Sequence, residues 1–484
     1  MSMSPSVAML VSPRPREHYK HILPVVNPPV KQDRPWGQIL ELAVPNVAAN
    51  LIMYSTAVVT TLCISSLDQP DLLASFGLGN LIGNVLGLSI GVGLTSVLET
   101  LVSQSYGAGN VRLASIHLNR ARIVVTAALF PCAICLWYTD QLLLWLGQDP
   151  TVCALAATFT RATIPGLLPF FYNCCTSSYL RSCQHPRPPL IANIIGSISH
   201  VFVCIYLVNT LGLGMLGAGL ATTINNILRF VILEVFLSWK SSELHGHSWD
   251  PETLSWKGIH HFLGLGLPSF ALVFSEWAAF ELNSVIAGWV STEGLAAHVA
   301  GINILAIVYM FPYGVSQSLS TLIGASLGEG LPKLAIEFTN KGRWLMFGIA
   351  CIYGSLIYIY RDGIARIYST DETMLEILTS LLTLCGGFVI FDAMNTTQAG
   401  IIRGLGLQTR AAKYQTFAMF GVMLPFGYIF YHQLGVNAVW WGAMLGMTTS
   451  ATLFYSLIYH CDYYECSRRA ISESGMNRLL SVNI

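Results

Sequence analysis

The chain has 484 residues, of which 53% are hydrophobic and only 10% charged. Soluble domains average about 25% charged residues, so composition excludes an ordinary globular protein and indicates a polytopic membrane protein. Lys+Arg and Asp+Glu balance at 25 each, which offers no basic surface for nucleic acid.

In chain order, residues 1–35 form a polar, basic, proline-rich tail. It lacks the roughly 7–15-residue apolar core of a signal peptide, so the first hydrophobic helix is expected to direct insertion. Apolar runs then predict an all-α protein of twelve transmembrane helices, at about 37–65, 72–102, 118–138, 151–180, 188–211, 215–238, 259–290, 294–324, 342–361, 373–402, 411–431 and 435–461. A span needs about 20 apolar residues, so the longer runs are expected to tilt or to extend into water. The polar stretch 239–258 follows the sixth run and reads as a cytoplasmic linker. It separates an N-lobe (36–238) from a C-lobe (259–461), and 462–484 reads as a second tail.

Positive charge is sided. The N-terminal tail, the alternate loops (Arg112, Arg120 and Arg122; Arg181 and Arg187; Lys240 and Lys257; Lys333, Lys341 and Arg343; Arg403, Arg410 and Lys413) and the C-terminal tail carry most of it. The opposite loops offer only Arg361 and Arg366 beside Asp68, Asp71, Asp140, Asp149 and Glu293. The positive-inside rule puts both termini in the cytoplasm. The halves also repeat at an offset of about 222 residues. Gly107-Ala-Gly-Asn-Val-Arg aligns with Gly328-Glu-Gly-Leu-Pro-Lys, Tyr179-Leu-Arg181 with Ile401-Ile-Arg403, and Pro45 with Pro268. Six helices per half give the halves the same orientation, a parallel repeat of the kind that places transporter sites where the repeats meet.

Three carboxylates interrupt the apolar runs. Glu276 and Glu281 fall in the seventh, and Asp392 falls in the tenth, followed by Asn395 and Gln398. A charge at mid-bilayer costs about 2.5–3.5 kcal/mol on insertion scales. One reading keeps these acids neutral or paired between helices. The other, which we expect, has them bind and release a proton or cation, because removal from water favours the neutral carboxyl and makes protonation responsive near neutral pH. Glu276 and Glu281 lie five residues apart, about 140° around a helix, so they cannot both face one cavity, and Glu276 is the favoured one. Their repeat counterparts are Met53 and Val58, so a coupling site belongs to the C-lobe alone. Asn395 and Gln398 read equally as interhelix hydrogen-bond partners. Glu99, near the end of the second run, is expected to be solvated or to fix a loop. Arg161 can snorkel or pair with an acid, and His298 reads as a packing residue. Trp277, Phe280, Tyr309, Phe311 and Tyr313 can line a cavity for flat organic cations or serve the core. The 12 cysteines form no regular framework and read as small membrane-core residues. No cofactor, metal or catalytic constellation is called for, so an enzyme is not expected.

The residues that carry chemistry also carry a family resemblance. Pro45-Asn-Val-Ala-Ala-Asn50-Leu-Ile-Met-Tyr54, Leu98-Glu-Thr-Leu-Val-Ser-Gln104-Ser-Tyr-Gly-Ala-Gly109, Pro268…Glu276-Trp-Ala-Ala-Phe-Glu281 and Asp392…Gly400-Ile-Ile-Arg403-Gly-Leu-Gly-Leu-Gln408 resemble segments of the multidrug and toxic compound extrusion (MATE) transporters, above all their eukaryotic branch. The resemblance spans roughly 36–460. It implies two pseudo-symmetric six-helix bundles in a V, alternating access, and export of organic cations or other xenobiotics against protons or sodium, by a monomer in the bilayer. It implies that Glu276, Glu281 and Asp392 couple and bind, with Asn50, Tyr54, Gln104, Trp277, Asn395 and Gln398 as supporting cavity or polar network. The chain departs from the pattern in four places. It lacks the N-lobe aspartate of many bacterial members, has Met53 where plant relatives often have Gln, has Ser65–Pro70 in place of Gly-His-Leu-Gly, and has Ala278 for a second Trp. A related lipid-linked oligosaccharide flippase is the alternative, disfavoured by acidic rather than cationic intramembrane charge.

Overall fold

The computed structural model describes residues 34–246, 250–368 and 371–475. Among them there is no strand. The helices are α1 (Pro35–Ser65), α2 (Asp71–Gly107), α3 (Val111–Trp137), α4 (Pro150–Ser182), α5 (Arg187–Thr210), α6 (Gly214–Trp239), α7 (Trp256–Val290), α8 (Thr292–Gly328), α9 (Pro332–Tyr368) and α10 (Glu372–Leu405), each long and apolar enough to cross a membrane. Two further long helices, α11 (residues 408–434) and α12 (Asn437–Tyr459), complete the twelve. α11 is less apolar because it opens on Gln408-Thr-Arg-Ala-Ala-Lys-Tyr-Gln415. A short amphipathic helix, α13 (Tyr463–Glu473), follows within the expected C-terminal tail.

Two helices differ most from the apolar runs. α3 begins at Val111 rather than 118, with Asn110 accepting the Leu113 amide at 3.0 Å as its N-cap. α9 runs from Pro332 to Tyr368 rather than 342–361. At 1.5 Å per residue it is about 55 Å long, far beyond the roughly 30 Å hydrocarbon layer. Apolar runs mark the lipid-covered length. Charged turns extend the helix past it, because the backbone bonds close in water as well as in lipid.

α1–α6 form one bundle and α7–α12 the other, each with an apolar cluster of its own, while two further clusters join them, through Phe262 of α7 on the first bundle and through Ile39, Leu42 and Ala43 of α1 on the second. Prolines sit inside α1, α3, α4, α7 and α8, tolerated because neighbouring helices cover the freed carbonyls. α7 continues unbroken through Pro268. Interior arginines are partnered. Arg122 donates to Glu234 at 2.6 Å and to Thr176 at 3.1 Å. Arg229 donates to Ser197 at 3.1 Å. Arg161 pairs with Asp140 at 2.8 Å and lies over the Trp137 ring, which selects pairing with an acid. His298 packs its edge on Trp440 and bonds Ser284 at 3.1 Å. Cys132 and Cys135 stand at CxxC spacing in α3 as free thiols.

The bundles meet along α1–α8 and α2–α7, and at one end the C-termini of α2 and α8 cross in close contact. The repeated Gly-x-Gly turns explain that crossing. A Cβ on Gly107 would stand 2.2 Å from the Ala325 carbonyl oxygen, and one on Gly328 would stand 2.1 Å from the Gln104 carbonyl oxygen. The second glycine of each turn, Gly109 or Gly330, has φ of +81° or +75°, a region that favours glycine. α13 covers the same end. Tyr463 donates to Thr339 at 3.1 Å and Ser467 to the Leu327 carbonyl at 2.9 Å, while Asn110 donates to the Ser474 carbonyl at 2.9 Å.

Candidate functional site

The seventh helix carries Glu276 on its inner side. Gln415, at the polar head of α11, donates its amide to Glu276 at 3.0 Å. Ser450 of α12 donates in turn to the Gln415 carbonyl oxygen, which orients the amide. Tyr309 of α8 is near enough to act electrostatically on Glu276. One turn of structure is also stitched by Ser275 and Thr416, whose hydroxyls lie 2.9 Å apart. A π-helical stretch, Phe417–Met423, follows directly; such irregular turns are frequent at functional sites.

Asp392 on α10 is 9% exposed and lies within electrostatic range of Glu276 and of the Tyr309 and Tyr353 hydroxyls. Asn395, one turn on, is buried with neither amide atom hydrogen-bonded among the described residues, and the Gln398 carbonyl oxygen is likewise unpaired. The interhelix bonds available to Asn395 by residue type are therefore not formed. Buried polar groups almost always find partners, so this cluster around Asp392 has capacity for a proton, a water or a ligand.

Glu281 stands apart. It is half-buried, and no hydrogen bond joins it to Glu276 or Asp392 among the described residues. The unbroken register of α7 keeps it about 140° from Glu276. Tyr54 and Trp277 are half-buried and make no hydrogen bond to the acids among the described residues. Asn50 and Gln104 serve the seam between bundles. Asn50 donates to Gln317 at 3.2 Å and Gln104 to the Gly404 carbonyl at 3.0 Å.

Glu99 corrects the sequence reading. It is neither solvated nor at a loop; it is 3% exposed and accepts from Arg403 of the other bundle at 2.8 Å. Arg403 also donates to Ser316 at 2.6 Å, and its carbonyl accepts from Thr100 at 2.6 Å. The end of α2 abuts the other bundle rather than water, which one helix read alone does not show. Gln415, Ser450 and Arg403 were missed as site residues; for Ser450 and Arg403 no apolar-run pattern marks them. The signal for Gln415 was present, as an amide inside the eleventh run.

The geometry therefore has two related bundles, the acids Glu276, Glu281 and Asp392 in only one, and a buried ion pair, Glu99–Arg403, between them. A family model, MatE, matches residues 45–206 and again residues 268–429. This chain belongs to the MatE family. The two matches start at Pro45 and Pro268, the proline pair of the internal repeat. Multidrug and toxin extrusion protein 1 of Danio rerio is 29% identical over 444 residues, covering 91% of this chain and 74% of that protein. The Homo sapiens protein of the same name is 26% identical over 451 residues, 92% of this chain and 77% of that one. Among solved structures, the eukaryotic MATE transporter AtDTX14 superposes with a TM-score of 0.87 at 22% identity, covering 91% of this chain and 99% of that chain. The two-bundle architecture is thus that of MATE transporters, and the protein is a multi-pass membrane transporter.

Proposed function

We propose that this MatE-family protein is a proton-coupled antiporter that exports organic cations or other xenobiotics and metabolites by alternating access. The observation that carries the reading is the C-lobe cluster of Glu276, held by Gln415 at 3.0 Å, with Asp392 close enough to interact with it. Two acids in mutual range inside an apolar bundle resist carrying two negative charges at once. A proton or a cationic substrate relieves the repulsion, and the two then compete for one place. Loading the pair shifts the balance between bundle arrangements only if it binds one arrangement better. The names of the relatives, multidrug and toxin extrusion proteins, support the substrate class.

Basic loops at the α2/α8 end support a cytoplasmic position for that end and for both termini. On that orientation the closed crossing of α2 and α8 lies at the cytoplasmic side. Residues 36–238 and 259–461 act as the lobes and 239–258 as their cytoplasmic connection, with the protein acting as a monomer in a plasma or organelle membrane.

The test is efflux of a fluorescent organic cation from proteoliposomes under an imposed proton gradient, with an imposed sodium gradient as the second arm. Proton-driven exchange abolished by Glu276→Gln and by Asp392→Asn is expected. Transport at the wild-type rate in both variants would sink the mechanism, and response to sodium alone would replace the coupling ion.

A further inference from the structure

The reading of the cysteines as membrane-core residues does not extend to the last two. Cys461 and Cys466 lie beyond α12, which ends at Tyr459, and flank the entry to α13. Their Sγ atoms stand 3.4 Å apart as free thiols. A disulfide brings its sulfurs to about 2.05 Å, so closing the pair takes a movement of about 1.4 Å.

Local structure builds this approach. Asp462 caps α13, accepting the Tyr464 amide at 2.9 Å and the Glu465 amide at 3.2 Å. The Cys466 amide closes the first turn on the Asp462 carbonyl at 3.0 Å. Cys466 is buried in an apolar cluster with Leu457 and Phe338, and Cys461 is half-buried against the same cluster. His460, Asp462, Tyr464 and Glu465 beside them are exposed, so the pair lies within reach of small solutes. The hydrogen bond from Cys461, and beyond it Arg469, hold the Cys466 thiol below its ordinary range. The thiolate is the reactive form.

α13 bonds to both bundles. Tyr463 and Ser467 hold α9 and α8 of one, and the Ser474 carbonyl accepts from Asn110 of the other. Only residues 460–462 separate α12 from α13. A covalent bond from Cys461 to the first turn of α13 removes conformational freedom at that elbow. The seat of α13 is then pre-organised, which favours the bundle arrangement in which both of its ends are bonded.

We propose that Cys461 and Cys466 are a redox-active dithiol that peroxide closes to a disulfide, and that the disulfide locks α13 across the two bundles and slows their separation. One thiolate attacks the peroxide O–O bond and, with one proton, gives a sulfenic acid and water. The other thiol attacks that sulfur, forms the S–S bond and releases the second water. Two thiols thus lose two hydrogens and two electrons while one peroxide becomes two waters. Cellular thiols return the dithiol by exchange, as in other transient, redox-sensing disulfides of the cytosol. The dithiol site stands on its geometry, and only its effect on transport rests on the alternating-access reading.

The test treats the full chain in proteoliposomes with hydrogen peroxide or with dithiothreitol. Chymotrypsin cuts after Tyr463 and Tyr464, between the two cysteines, so a disulfide keeps the two fragments joined until reduction, and mass spectrometry reads the link. Deuterium uptake over residues 463–474 reads the seat of α13, and exchange of a fluorescent organic cation reads transport. Peroxide is expected to join the fragments, to lower uptake over α13 and to slow exchange about fivefold, the scale of an ordinary conformational coupling. Dithiothreitol should reverse all three. Cys461→Ser and Cys466→Ala, each alone, should exchange as the reduced wild type does and lose the response to peroxide. Fragments that never join, joined fragments with unchanged uptake over α13, or joined fragments with undiminished exchange overturn the proposal. So does an equal slowing by peroxide in both variants. A link that forms and lowers uptake in a protein that exchanges no cation even when reduced upholds the dithiol site and overturns the antiporter reading instead.

Discussion

At the residue scale, position on α7 separates two chemically identical side chains. Glu276 meets Gln415, whereas Glu281 points elsewhere around the same helix. We expect Glu276→Gln and Asp392→Asn to lower the initial rate of proton-driven exchange by tenfold or more, and Glu281→Gln to lower it by less than threefold. Stopped-flow efflux from proteoliposomes with matched protein content checks the order, and an effect of Glu281→Gln equal to that of Glu276→Gln would contradict it. Removing Gln415 tests the support: Gln415→Leu leaves Glu276 without its amide donor and should lower the rate about as far as Glu276→Gln does. The three acids were legible in the sequence because a charge in an apolar run stands out whatever its neighbours are. Their partners were not, because Gln415 is 139 positions from Glu276 and no local pattern links the two.

At the scale of elements, the α2/α8 crossing and the segment between the bundles carry the predictions. Glu99 and Arg403 form a buried pair, both under a tenth exposed. Removing one member of such a pair leaves an unpaired charge and costs about 3–5 kcal/mol. Glu99→Gln should therefore lower the thermal midpoint of the detergent-purified protein, and Glu99→Arg combined with Arg403→Glu should recover part of the loss. Gly328→Val should be as harmful, because its Cβ would fall 2.1 Å from the Gln104 carbonyl oxygen, and backbone must move to admit it.

The described residues of the connection between bundles are tied to the N-terminal bundle. Arg112 donates to Asp250 at 2.6 Å, Arg120 donates to the Glu252 carbonyl at 2.8 Å, and Tyr179 donates to the Leu244 carbonyl. The Glu252 amide, and then Arg112, hold the Asp250 carboxyl below its ordinary range. Hydrogen bonding from Lys240 does the same for Glu243. A carboxyl with a depressed folded-state pKa stabilises the docked form above its unfolded pKa, about 4 for these residue types. That stabilisation is lost as pH falls through the lower folded value. The hydrogen–deuterium exchange protection factor, that is the rate corrected for intrinsic amide exchange, over residues 240–246 and 250–254 should thus be flat above about pH 5 and fall on acidification below about pH 4. A protection factor that already falls on going from about pH 8 to about pH 6 would contradict the docking.

At the scale of the whole molecule, alternating access requires the bundles to separate along the seam that is closed here. Asn46 donates to Ser318 at 3.0 Å across α1 and α8. In a background with the accessible native cysteines replaced, Asn46→Cys with Ser318→Cys, joined by a short thiol cross-linker, should stop exchange almost completely. A cleavable linker should restore it on reduction. Transport that continues in the cross-linked protein would mean that this seam does not open.

The sequence by itself determined the twelve apolar helices, their division into related halves at Pro45 and Pro268, and the confinement of Glu276, Glu281 and Asp392 to one half. Each of these follows from composition, spacing or self-similarity along the chain, and a lipid environment enforces them locally because every backbone bond must close within its own helix. Only the tertiary structure decided that Glu99 is an interlobe partner of Arg403 and that Glu276 rather than Glu281 meets Gln415. Those outcomes depend on which helix faces meet across the bundles, and side-chain type at one position carries no information about a neighbour hundreds of residues away.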